Sequence, residues 1–262
     1  RYVGEPVAVV VAVDRYVAED ALELIDVDYV VCESVVDPME ALDEQAPVLH
    51  HEVGANLVHE RTFSYGDPEG AFRDAARQVE VSLTYPRNSA TPIEGFVVTA
   101  EYHAAEQSYE VVSNFQGPFS LHPVMARALK VSGPRLRLRS SPDSGGSFGI
   151  KQGVFTAVVA LALAARKAGI PVRWVEDRLE HLAAAGAATN RVVTLRGAVT
   201  ETGTVTALEY DQLDDCGAYL RAPEPATLYR MHGNLTGAYA IEHLAVRNRV
   251  VLTNKTPTGL NR

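Results

Sequence analysis

The chain has 262 residues, 47% of them hydrophobic and 22% charged, with a formal net charge of −9. That length and composition suit one large or two modest globular domains with a real buried core. The acidic balance argues against nucleic acid or an anionic membrane as partner, because both require a basic face. Two cysteines, Cys32 and Cys216, make neither a disulfide framework nor a metal-ligand spacing, and they read as buried thiols of a reducing compartment. The longest apolar run, residues 154–165, is too short to span a bilayer, and no signal peptide is visible, so a cytoplasmic protein is expected.

In chain order, residues 6–14 (Pro-Val-Ala-Val-Val-Val-Ala-Val-Asp) form a nearly unbroken β-branched run, expected to be a strand covered on both faces. Residues 15–25 have helical apolar spacing behind a possible Asp14 cap, and 26–33 return to strand. The segment 38–67 is mixed and polar and reads as a linker. Its adjacent His50 and His51 would point to opposite faces of a strand and make a poor chelate. From residue 67 onward, helices are expected near 69–77, 121–130, 154–167 and 178–185. Strands are expected near 79–85, 97–103, 109–113, 136–140, 171–176 and 246–253, with a hairpin over 192–213. This alternation predicts an α+β or mixed α/β fold. The chain starts near a strand and closes on Thr258-Gly-Leu-Asn-Arg262 without a polar tail, which reads as a piece of a longer polypeptide.

The most informative stretch is Ser144-Gly-Gly-Ser-Phe-Gly-Ile-Lys-Gln152, between the 136–140 strand and the 154–167 helix. Glycines let a backbone turn tightly and approach a neighbour closely, and a following helix points unpaired N–H groups back at the turn. The spacing matches neither the dinucleotide fingerprint nor the phosphate loop, and Gln152 follows Lys151 where a magnesium-binding hydroxyl would stand. A nucleotide-binding domain is therefore disfavoured. On physical grounds alone the turn is either a cofactor cradle or a structural bend. Two further candidates are Gln116, in Ser113-Asn-Phe-Gln-Gly-Pro118 at a strand end, and Arg230, in Leu228-Tyr-Arg-Met-His-Gly233. An arginine among apolar and small residues pairs with a carboxylate or with a ligand anion.

Together these segments resemble the large, molybdenum-cofactor-binding subunit of the molybdenum hydroxylases, the group of xanthine oxidase, aldehyde oxidase and aerobic carbon monoxide dehydrogenase. Tyr2-Val-Gly-Glu-Pro-Val-Ala is similar to the family's Gly-Glu-Pro-Val-Ala strand, and Pro92-Ile-Glu94 to its Pro-Met-Glu element. Phe115-Gln-Gly-Pro118 is similar to its Gln-Ala-Pro element, and Gly145-Gly-Ser-Phe-Gly-Ile-Lys151 to its Gly-Gly-Gly-Phe-Gly-x-Lys turn. Thr253-Asn254 and Arg262 resemble the approach to its Arg-Gly-Phe-Gly loop.

The resemblance implies residues 1–37 as the end of a small α/β hammerhead-like domain. It implies residues 68–262 as the first molybdopterin-binding domain, with an incomplete site. Gln116 would lie near the metal's apical oxo group. Gly145, Gly146, Ser147, Phe148, Gly149 and Arg262 would hold the cofactor, and Arg230 would orient substrate. The metal would be held through the pterin, in its cytosine dinucleotide form, and not by side chains of this chain. The catalytic glutamate would lie in a missing C-terminal cofactor domain, so that these residues alone would be inactive. Iron–sulfur centres and FAD would sit on partner subunits. The reaction implied is oxidation or hydroxylation of a small carbon substrate (carbon monoxide, an aldehyde or an N-heterocycle) with water as oxygen source. Ser147 for glycine, Gln152 for a substrate-handling glutamate, and Ala90 and Gly95 depart from the family pattern. They keep open a non-catalytic assembly or small-ligand-binding module of the same fold.

Overall fold

The fold is taken from a computed structural model that describes residues 1–188, 190–221 and 230–259, with the side chains of Arg230 and Met231 left out. These residues fall into two compact units.

The first unit draws on residues 1–2, 33–88 and 187–258. It carries a five-stranded sheet of β1 (Leu57–Tyr65), β2 (Arg77–Tyr85), β7 (Asn190–Val199), β8 (Val205–Asp215) and β9 (His243–Val251), in the order β1-β9-β8-β7-β2. Only β8 and β9 run parallel; the other pairs are antiparallel, with β7 and β8 forming the expected hairpin. The short helix α2 (Pro68–Arg73) starts where Asp67 accepts the Gly70 N–H at 2.9 Å and Pro68 presets the first turn. At the β8 end the buried Asp214 accepts from Arg191 Nε, Gln212 Nε2 and Asn248 Nδ2, each at 2.7 Å. Buried charge of this kind persists only when paired and hydrogen-bonded.

The second unit draws on residues 3–32, 89–186 and 259. Its sheet contains β3 (Val97–His103), β4 (Ser108–Ser113), β5 (Leu136–Ser140) and β6 (Val172–Val175), ordered β5-β4-β3-β6. Strands β4 and β5 are parallel, joined through α3 (Pro118–Ala128), while β3 is antiparallel to both β4 and β6. Helix α4 (Phe155–Ala168) leads from β5 to β6 and ends at Gly169, whose φ of 71° is the left-handed cap a glycine provides. Val158, Leu161, Ala162 and Ala165 of α4 and Leu121 and Met125 of α3 bury against Val98, Ala100 and Val111 of the sheet. Helix α5 (Arg178–Ala184) opens with a capping box in which Asp177 and Glu180 each satisfy the other's backbone N–H.

The N-terminal segment differs from its sequence reading. Helix α1 (Arg15–Leu22) forms, with Asp14 accepting the Val17 N–H at 2.9 Å, but neither 6–14 nor 26–33 is a strand. Val13 and Val31 are 93% and 91% exposed. A β-branched run signals side chains that suit a pleated sheet, but a strand needs a neighbouring backbone to pair with, and none is supplied among the described residues. The segment read as a linker also differs, since 57–65 is the edge strand β1. Its apolar residues were diluted by His59, Glu60 and Arg61, as an edge strand allows. Cys32 is exposed, whereas Cys216 is buried as expected.

Met125 is 1% exposed in the core of the second unit. Met125→Ala should therefore cost about 2–5 kcal/mol in denaturant unfolding of the full chain. A loss below about 0.5 kcal/mol, the range of surface changes, would contradict this placement.

Candidate functional site

The strand directions of the second unit bring four loops to one end of its sheet. The last residues of the parallel pair stand side by side, Ser113 opposite Ser140, so the segments after them emerge together. Antiparallel β3 begins at the same end, with Val98 opposite Ser113, and β6 finishes there, with Val175 opposite Val97. Segments 92–96, 114–117, 141–149 and 176–178 therefore meet outside the carboxyl ends of the parallel strands, where ligands bind in open α/β sheets.

One carboxylate ties three of these segments together. Glu94 Oε1 accepts from Lys151 Nζ and, at 2.6 Å, from Asn114 Nδ2; its Oε2 accepts the Gly145 N–H at 2.9 Å. Lys151 is 1% exposed and also donates to the Gly145 carbonyl at 3.3 Å. The Lys151 ammonium first, then the Asn114 amide and the Gly145 N–H, hold the Glu94 carboxyl far below its usual range, at about 2. Asn114 further accepts the Val97 N–H at 3.1 Å and donates to the Gly95 carbonyl at 2.8 Å. The fourth segment joins through Glu176 Oε2, which takes the Phe96 N–H at 2.8 Å and lies 2.7 Å from Nδ1 of the buried His181. Arg178 fixes the carbonyls of Pro92 and Ile93 at 3.0 and 2.7 Å.

The glycine turn lies on this platform. A Cβ at Gly145 would come within 2.8 Å of Glu94 Cβ, and one at Gly146 within 2.9 Å of the Phe148 ring. Gly145 is thus required by its close approach to Glu94, while a Cβ at Gly146 would displace the exposed Phe148 ring. Phe148 has φ of 51°, a left-handed conformation that costs a residue with a Cβ roughly 1–2 kcal/mol, and its ring remains 57% exposed. A strained backbone that displays an apolar ring is where structures place ligand contacts. Gly149 follows at φ 103° and opens a 3-10 turn, Ile150–Val154, which separates the glycines from α4.

Of the residues expected from sequence, Gln116 and Ser147 meet directly, the Ser147 hydroxyl donating to Gln116 Oε1. Gly145, Gly146, Phe148 and Gly149 belong to the same turn. Gln152 reaches Ser120 of α3 at 3.5 Å through Nε2, while its Oε1 is buried without a partner. Thr253 and Asn254 lie in the first unit, where Thr253 donates to Asp215 at 2.6 Å and Asn254 accepts the Val35 N–H at 2.9 Å. Arg230 begins a 3-10 turn (Arg230–Asn234), its side chain outside the description, and Arg262 lies outside the described residues. Among the described residues no group of three or more His, Cys, Asp or Glu is placed to hold a metal.

Glu94 and Lys151 were read from sequence only as motif letters. Their partnership spans residues too far apart for any local pattern to reveal, and Asn114, Glu176 and Arg178 carried no signal at all.

The molybdopterin cofactor-binding domain model matches residues 49–262. The chain is 32% identical over 266 residues to the 6-hydroxypseudooxynicotine dehydrogenase complex subunit gamma of Paenarthrobacter nicotinovorans, covering 100% of this chain and 32% of the relative. It is 33% identical over 273 residues to the carbon monoxide dehydrogenase large chain of Afipia carboxidovorans, covering 98% and 33%. The crystal structure of quinoline 2-oxidoreductase from Pseudomonas putida 86 superposes with a TM-score of 0.90 at 30% identity, covering 100% of this chain and 33% of that one. The chain thus spans about a third of the length of the curated relatives it matches.

Because Glu94 is more acidic folded than unfolded, its stabilising contribution is complete above pH 4.5 and is lost as pH falls toward about 2. Glu94→Gln should flatten the acid branch of a thermal unfolding profile across that window; an unchanged acid branch would contradict the clamp. Lys151→Met, which strips the carboxylate of its main partner, should cost about 1–3 kcal/mol in denaturant unfolding.

Proposed function

Because the chain belongs to the family of molybdopterin cofactor-binding domains, we propose that its second unit forms one wall of the cofactor site of a molybdenum hydroxylase large subunit. The observation that carries this reading is the convergence of Gln116 and the glycine turn at one sheet end, with Phe148 displayed in a left-handed backbone. The available groups suit a polar heterocycle: an amide donor at Gln116 and the exposed ring of Phe148.

The roles are those that the family resemblance implies. Phe148 and Gly149 would support the pterin, with Gly145, Gly146 and Ser147 shaping the turn beneath it. Gln116 would present its amide toward the metal end. Arg262 would contact the cofactor, and Arg230 would orient substrate. Glu94 and Lys151 keep the turn in register. When bound, the molybdenum cofactor supplies two-electron redox chemistry, with water as the source of oxygen.

In the whole protein the reaction is the oxidation or hydroxylation of a small carbon substrate. The support is the names of the relatives, which give carbon monoxide, 6-hydroxypseudooxynicotine and quinoline as what those proteins act on. The pterin is the cytosine dinucleotide form. Iron–sulfur centres and FAD reside on partner subunits, since two cysteines cannot ligate a cluster. The catalytic glutamate belongs to a C-terminal cofactor domain. Residues 1–37 close a preceding hammerhead-like domain, the cofactor domain takes in strand β1 and the rest of the matched residues 49–262 in place of a linker over 38–67, and the complex is cytoplasmic. Among the described residues no helix is long and apolar enough to cross a membrane.

Metal mass spectrometry of the intact complex, purified from its own host, tests this reading. Stoichiometric molybdenum is expected in the native protein. Gly149→Ala, which forces a Cβ onto a backbone at φ 103°, should lower that content while the chain stays folded. A native complex without molybdenum would overturn the proposal.

A further inference from the structure

The hydroxyl of Ser147 has a defined set of partners. A serine hydroxyl offers one hydrogen and two lone pairs. The Lys151 backbone N–H, which can only donate, occupies one lone pair at 3.2 Å. The single hydrogen then goes to Gln116 Oε1. The two ends of a glutamine amide are nearly equal in shape, so packing alone does not choose between them; hydrogen bonding does. Turned the other way, Gln116 would donate an N–H into the hydroxyl's second lone pair, but the Ser147 hydrogen would lose its acceptor and the amide oxygen would face outward. As it stands, no described protein group takes a hydrogen bond from Gln116 Nε2.

Ser147 is itself held from below. Lys151, whose N–H reaches Ser147, is fixed by the carboxylate of Glu94, and Gly117, next to Gln116, begins α3 in a left-handed conformation at φ 61°. The serine and the glutamine thus sit on two loops that leave adjacent parallel strands, with little freedom to drift apart.

We propose that Ser147 is a positioning residue that locks the Gln116 amide with its oxygen inward and its NH2 outward. This end of the sheet therefore presents a hydrogen-bond donor to an acceptor oxygen of the bound cofactor. The assignment rests on the cofactor reading above. Its chemical consequence is one of sign: a donor stabilises negative charge on an opposing oxygen, and the flipped amide repels it.

The test uses the intact complex bearing Ser147→Ala, Ser147→Thr or Gln116→Glu. Three quantities are read: molybdenum content, the electron paramagnetic resonance spectrum of the partly reduced metal, and kcat against KM. Ser147→Ala should keep its molybdenum, shift the resonance spectrum and lower kcat by about three- to tenfold, the range of one net hydrogen bond, with KM unchanged. Ser147→Thr, which keeps the hydroxyl, should restore the native spectrum. Gln116→Glu, which can still accept from Ser147 but has no NH2, should resemble Ser147→Ala or be worse. A Ser147→Ala enzyme with native molybdenum, spectrum and kcat overturns the inference. So does a variant that loses activity only in proportion to lost molybdenum, because the hydroxyl would then hold the turn and not the amide. A native complex without molybdenum instead removes the cofactor reading and this inference with it.

Discussion

The geometry of the second unit depends on one half-exposed carboxylate. Glu94 arrives from the segment before β3, yet its partners belong to the loop after β4 and to the turn after β5. That carboxylate ties the three segments more tightly than strand pairing and the Asn114 and Ser147 hydrogen bonds do alone. The buried Lys151 ammonium is tolerable only because Glu94 and the Gly145 carbonyl receive it. The glycines then follow from the carboxylate. Gly145 must lack a Cβ because Glu94 lies beneath it, and at Gly146 a Cβ would push against the Phe148 ring.

This gives a hierarchy from sheet to site. Parallel pairing of β4 and β5 aligns Ser113 with Ser140 and so aligns the loops that carry Gln116 and Ser147. The buried residues of α3 and α4 pack against Val98 of β3 and Val111 of β4 and hold the helices on the sheet. Glu176, paired with buried His181 and the Phe96 N–H, closes the fourth side. What remains outward is a short list of groups: an amide and an aromatic ring. Each sits on backbone fixed from behind, which is how a fold holds a ligand without rearranging.

Much of this was legible in the sequence, and the reason is local. Strands such as 97–103 and 136–140 and the helix ending at Gly169 announce themselves through periodicity and caps within a few residues. The glycine turn was visible as a motif, with its physical reading left between cofactor cradle and structural bend; a Cβ at Gly145 or Gly146 would meet side chains of the chain itself. The Glu94–Lys151 pair was not legible, because its meaning lies in a fold-dependent meeting of residues 57 positions apart. The runs 6–14 and 26–33 misled for the complementary reason. Composition reports what a side chain tolerates, while a strand requires a partner backbone. The edge strand β1 was hidden by the charged residues that such strands carry.

The central claim is that the braced turn at 145–151 meets the cofactor directly. Amide hydrogen exchange in the intact complex, compared with the same complex after cofactor removal, reads this turn residue by residue. The account predicts slower exchange at Phe148 and Gly149 when the cofactor is present, with the amides of the edge strand β2 unaffected. Equal exchange at Phe148 and Gly149 in the two states would contradict it.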